Sequence, residues 1–302
     1  MTAKRIESSY ARFDYAHLFD GVFVPTSGTK RGRLFVPPRT FDNVEISFYG
    51  YEQLGADDQS VFLAVAAQLG IGGGVAKSET PTGDELRRKI FSETVDDGSR
   101  VAAIRTSLRA IARDAGYGAG GVDLKIVHKC LHRLGCTIVR EFGAYEAGHR
   151  VDRRCMLLSS KIEIDTKEVV IAANPRLTRS IYGEQQHIKV SLIERNALES
   201  EVAKILHAWL CAVVRPGGIL GRDGVLIDTL MPHVWGAQCA EASAPVRSNR
   251  RARIRDALVE IAQRTRWRID LSRHLVYITR PKMMPRPESI IAEIPPAAND
   301  SD

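Results

Sequence analysis

Apolar and polar positions divide this chain into helical and strand-like blocks that run through one order twice. Residues 1–40 are mixed, with Pro25, Pro37 and Pro38 and the basic run Lys30-Arg31-Gly32-Arg33, and they read as an arm with little core. Asp57 and Asp58 then open a helix whose apolar positions Val61, Phe62, Val65, Ala66 and Leu69 keep the helical period, and Gly70 closes it. Ser107 starts a second helix with Leu108, Ile111 and Ala112 inward, and Gly116, Gly118, Gly120 and Gly121 form the turn after it. A third helix buries Leu124, Val127, Leu131 and Leu134 and leaves Lys125, His128, Lys129, His132 and Arg133 outside. A strand follows at 137–141, then a polar loop over 143–150, then strands near 155–158, 161–164 and 169–172.

The second half repeats this plan. Residues 187–192 alternate like a strand, and Ser200 precedes a helix with Val202, Ile205, Leu206, Trp209 and Val213 on one face. Pro216-Gly217-Gly218 stops that helix, and residues 215–225 read as a loop. Asp228 caps a short helix that ends at Gly236, and Pro245 sits near the first turn of a long arginine-rich helix. Residues 267–271 and 275–279 form a hairpin across Ser272-Arg273-His274. Two copies of helix, turn, helix and hairpin predict an α+β protein of two tandem winged helix-turn-helix domains. The expected division is an arm at 1–40, a first domain at 41–186, a second and main DNA-reading domain at 187–286, and an acidic tail at 287–302.

Composition narrows the class. With 44% hydrophobic residues in 302, the chain can bury a core and is neither disordered nor collagen-like. Its apolar runs fall short of the roughly 20 residues of a membrane span, and the polar start MTAKRIESSYARFDY has no signal-peptide core. Five scattered cysteines read as reduced thiols, so the expected compartment is the bacterial cytoplasm.

Location gives the net charge of +7 its meaning. Residues 1–186 carry +3, residues 187–286 carry +8 and the tail carries −4. Between Arg247 and Arg268, eight arginines face only Asp256 and Glu260. Such a concentration on one element is a footprint for phosphate, most often nucleic acid. In that helix Ile254, Ala257, Leu258 and Ile261 have core spacing, whereas residues 246–253 have almost no apolar anchor. A helix rooted at one end and projecting its first turns is how recognition helices enter the major groove. Arg247, Arg250, Arg251, Arg253 and Arg255 are therefore expected to contact DNA, since a guanidinium can fork onto guanine or clamp a phosphate. Asn249 is suited to adenine and Ser248 to a phosphate. Arg273 and His274 at the hairpin tip would lie against the backbone or minor groove. Lys125, His128, Lys129, His132 and Arg133 form a weaker counterpart in the first domain.

Other constellations carry less. Gly72–Gly74 with Lys77 and Ser78 fails the phosphate-loop spacing, because Ala76 stands where glycine must precede the lysine. His128 and His132, with Cys130 and Cys136 nearby, lack the glutamate or paired cysteines of a zinc motif. Asp57 and Asp58 read as capping residues, and His207 as a structural histidine at a domain contact. A nickase would need a tyrosine nucleophile with a histidine cluster, and Tyr182 with His187 lacks a second histidine ligand. No enzyme, cofactor or metal is expected.

Six stretches carry a resemblance: LGADD at 54–58, HIKVSL at 187–192, LHAWLCAVVRPG at 206–217, IDTLMPHVW at 227–235, VRSNRRARIRDAL at 246–258 and VYITRPK at 276–282. In order and spacing they resemble the replication initiators of IncQ-type plasmids, the RepC family, over roughly residues 41–282. The resemblance implies two winged-helix domains that bind direct repeats, called iterons, in double-stranded DNA at a plasmid origin. It implies melting of a neighbouring A·T-rich region so that a plasmid-encoded helicase and primase can load, with self-association of protomers on adjacent repeats. Arg247, Arg250, Arg251, Arg253 and Arg255 match the family's basic recognition helix. The rival reading is a winged-helix transcriptional repressor on an operator, which would select a palindrome.

Overall fold

Phe13 and Ala11, in what the sequence assigns to a peripheral arm, are completely buried. The computed structural model describes residues 10–26, 30–77, 79–91, 98–146, 149–272 and 275–282. In chain order its elements are β1 (Tyr10–Phe13), β2 (Leu34–Phe41), β3 (Val44–Gly50), α1 (Ala56–Gly72), β4 (Gly74–Val75), α2 (Pro81–Ile90), β5 (Ala102–Ser107), α3 (Leu108–Asp114) and α4 (Gly121–Gly135). There follow β6 (Ile138–Glu146), β7 (His149–Met156), β8 (Leu158–Ile162), β9 (Glu168–Ala173), α5 (Pro175–Tyr182) and β10 (Ile188–Ser191). The last part holds α6 (Leu192–Ala197), α7 (Glu201–Val213), β11 (Ile219–Leu226), α8 (Met231–Trp235), α9 (Ala244–Arg264), β12 (Arg268–Leu271) and β13 (Leu275–Thr279).

One order of elements occurs twice. In the first copy α1, β5, α3, α4, β8 and β9 succeed each other, and the strands lie in the order β5-β9-β8. In the second copy α7, β11, α8, α9, β12 and β13 do the same, with strand order β11-β13-β12. The first copy also carries insertions: β4 and α2, and the β6–β7 hairpin, which completes a four-stranded sheet β2-β3-β6-β7. Serine caps set two helices where the sequence places them, because Ser107 Oγ accepts the Ala110 amide and Ser200 Oγ the Ala203 amide.

Several expectations are corrected. The arm is core, because β1 pairs antiparallel with β10 and its apolar residues join one contiguous buried cluster that runs to Ile278. Val22, Phe23, Leu34 and Val36 are buried in the same cluster. The division drawn between 186 and 187 thus falls beside a strand whose partner is near the start of the chain. Residues 143–146 and 149–150, read as part of a loop, are strand: β6 and β7 pair antiparallel out to Glu146 and His149, with a register shift beyond Phe142. Of residues 215–225, read as loop, those from 219 onward belong to β11, which pairs with β13 on both sides of a register shift between Leu220 and Val225. Helix α1 passes Gly70 and ends at Gly72. No described helix is long and apolar enough to cross a membrane.

Candidate nucleic-acid interface

Helix α9 is anchored by Ile254, Ala257, Leu258 and Ile261, all at most 1% exposed, and the helix packs on α7. The preceding turns have no such seam, and residues 244–249 are exposed. Pro245 sits in the first turn, where a missing N–H costs nothing. Ser248, Asn249 and Ala252 lie on the side away from the seam.

The arginines divide by what they touch. Arg247 is exposed. Arg250 and Arg253 both lie over the Trp235 ring, 5.3 Å and 5.5 Å from its centroid, which fixes their stems while leaving charge at the surface. Arg251 makes a two-pronged pair with Asp228, Nε to Oδ1 at 2.7 Å and Nη2 to Oδ2 at 2.6 Å. Arg264, further along, pairs with Glu199 at 2.8 Å. Of the two acids on the helix, Glu260 is taken up by structure, since its carboxylate accepts the Glu199 and Ser200 amides at the start of α7. Asp228 does not cap its turn as the sequence suggests; the first turn has no side-chain cap, and Asp228 serves the arginine instead.

On α4, Lys125, His128, Lys129 and His132 are exposed as expected. Arg133 is not part of that face. It turns toward α1, where its Nε bonds Asp58 Oδ1 at 2.8 Å with only 11% of the side chain exposed. Asp58 is fully buried and also accepts Arg31 and the Gly55 amide, each at 2.7 Å, so it closes the start of α1 and locks three segments. Arg273 and His274 lie outside the described residues, as does the tail at 287–302.

Several of the residues weighed for other chemistries have partners of their own among the described residues. His128 and His132 are exposed while Cys130 is buried, its Sγ 3.3 Å from Arg133 Nη2, and burial pushes its thiol pKa up. Tyr182 donates its hydroxyl to the Gly74 carbonyl and carries Arg100 over its ring, whereas His187 Nδ1 meets the Gln185 carbonyl. All five cysteines are thiols outside any disulfide. Sequence reasoning missed Trp235 and Asp228 as partners of the basic helix. The only local signal was their place in the block IDTLMPHVW, one element upstream.

The geometry defines an α+β protein with two copies of one helix-and-strand unit, the second presenting a basic helix end. The chain matches the model of replication protein C (RepC) over residues 5–282 and belongs to that family. It is thus a member of a plasmid replication protein family. No curated protein gives a significant match. Among solved structures, a crystal structure of selenomethionine derivatives of domains 2 and 3 of RctB is similar, with a TM-score of 0.48 at 9% identity, covering 88% of this chain and 96% of that one. A second structure of RctB domains 2–3 has a TM-score of 0.44 at 8% identity, covering 86% of this chain and 95% of that one.

Proposed function

We propose that this protein is a replication initiator that reads duplex DNA through α9. Each copy of the repeated unit is on this reading a winged helix-turn-helix, since helix, strand, two helices and a two-stranded hairpin with the first strand beside the third is the order that fold requires. The observation that carries the reading is the exposed start of α9, whose turns ahead of the buried seam carry Arg247, Arg250, Arg251 and Arg253. Inserted in a major groove, Asn249 would face base edges and the flanking arginines the two backbones.

The first copy offers Lys125 and Lys129 for a second, weaker contact. Two units in one chain suit an asymmetric direct repeat of roughly 20 base pairs. Copies on adjacent iterons would bend or underwind the duplex and offset the cost of unpairing a neighbouring A·T-rich segment. A plasmid-encoded helicase and primase would load there, and neighbouring protomers would cooperate along the array. The protein acts by binding, without breaking bonds.

Permanganate probing of a supercoiled plasmid origin tests this reading. Protein-dependent reactivity of thymines beside the protected repeats is expected. Protection of the repeats with no reactive thymines would reduce the protein to a DNA binder, and selection of an inverted repeat would make it a repressor.

A further inference from the structure

A second polar cluster lies in the interior, away from the basic face. Ser191 Oγ accepts the Glu194 amide at 3.2 Å, which caps α6 and fixes Glu194 in its first turn. His207 and Cys211 stand one turn apart on α7 and so share a face. All three side chains are buried: 5% of Glu194, none of His207 and 4% of Cys211 is exposed. His207 Nε2 lies 3.1 Å from Glu194 Oε2 and 3.7 Å from Cys211 Sγ, and the three ligand atoms lie within 4.8 Å of one another. Among the described residues this is the one group of three that can hold a metal ion.

Hydrogen bonding alone leaves the cluster incomplete. Glu194 Oε1 and His207 Nδ1 are both buried and have no hydrogen-bond partner. Oxygen Oε2 is by contrast crowded, since it meets His207 and also accepts the Trp267 indole N–H at 3.3 Å. A buried carboxylate with one bare oxygen is costly unless something else satisfies it.

We infer that Glu194, His207 and Cys211 form a structural zinc site. Thiolate, imidazole and carboxylate make a borderline-soft donor set that suits Zn²⁺ rather than Mg²⁺ or Ca²⁺. Ordinary zinc bonds in a tetrahedron place nitrogen about 3.6 Å from sulfur and about 3.4 Å from oxygen. The observed separations are 3.7 Å and 3.1 Å. Oxygen Oε1 supplies the fourth donor when the carboxylate binds through both oxygens, and so gains the partner it lacks. The Trp267 N–H then acts as the outer bond that orients the carboxylate. On binding, the Cys211 thiol and the His207 Nε2–H that meets Glu194 each give a proton to solvent, and His207 binds neutral, so thiolate and carboxylate together cancel the charge of the ion. The ion ties α6 to α7, the helix that supports α9, and through Trp267 to β12.

Metal analysis of the tag-free full chain, followed by cobalt titration of chelator-treated protein, tests the site. One zinc per chain and a sulfur-to-cobalt charge-transfer band are expected. Cys211→Ser should abolish the band, and Cys130→Ser, at a buried cysteine outside the cluster, should keep it. Trp267→Phe should keep the band while weakening affinity about 10–100-fold. Wild-type protein with no bound metal and no band under cobalt titration overturns the site whether or not the variants fold. A band that survives Cys211→Ser also overturns it.

Discussion

Arg251 and Asp228 face each other across the junction of α9 and the turn before α8, joined by two parallel hydrogen bonds of 2.7 Å and 2.6 Å. Both partners are substantially exposed. A phosphate approaching this corner must compete with Asp228 for the guanidinium and also meets the negative charge.

Asp228→Asn should therefore tighten binding to duplex DNA, by roughly three- to tenfold at low salt, and Arg251→Ala should lower the salt slope by about 1. Fluorescence anisotropy on the origin duplex checks both. Weaker binding by Asp228→Asn would show instead that the pair orients Arg251 for its contact.

Arg133 and Lys129 separate structure from binding on one helix. Arg133→Ala removes the Nε contact from buried Asp58, leaving it Arg31, the Gly55 amide and the Cys130 thiol, and should destabilise the fold by about 2 kcal/mol in urea unfolding. Lys129→Ala, at an exposed position, should change stability by less than about 0.5 kcal/mol while weakening DNA binding. Equal stability effects would mean that the Arg133–Asp58 contact contributes nothing.

His17 makes stability depend on acid. It is fully buried against Phe13, Phe48 and Phe62, and burial, with the charge of Arg176, lowers its pKa to about 3 despite opposing contributions from Glu141 and the Asp14 backbone. The folded state then keeps His17 neutral while the unfolded chain takes up a proton below its ordinary pKa of about 6.5. Its contribution is intact above pH about 6.5 and falls by about 1.4 kcal/mol per unit as pH drops toward about 3. His17→Leu should flatten that part of the stability profile in denaturant titrations at pH 4–7. An unchanged slope would place the acid sensitivity elsewhere, in the carboxylates.

What the sequence reveals and what it hides follows from distance along the chain. The seam at Ile254, Ala257, Leu258 and Ile261 and the caps at Ser107 and Ser200 depend on residues within a turn of each other, and they were legible. The pairing of β1 with β10 joins Tyr10 to Ser191, and short strands give no sign of so remote a partner. Strand β11 contains Gly221, Asp223 and Gly224 around a register shift, which erases the alternation that marks a strand. Arg133 looked like a surface residue because its partner Asp58 lies 75 positions away. For the same reason two histidines one turn apart on α4 drew attention as ligands, whereas Glu194 and Trp267, remote from His207, did not.

The central claim is that the start of α9 touches DNA, and a salt titration of origin binding tests it most directly. Wild-type protein should show log K falling with log salt at a slope near −5, for about six phosphates neutralised. An Arg247→Ala/Arg250→Ala variant that retains the wild-type circular dichroism spectrum should lose about 2 from that slope and bind far more weakly. A wild-type slope shallower than about −2, or a double variant that binds as tightly as wild type, would contradict the account.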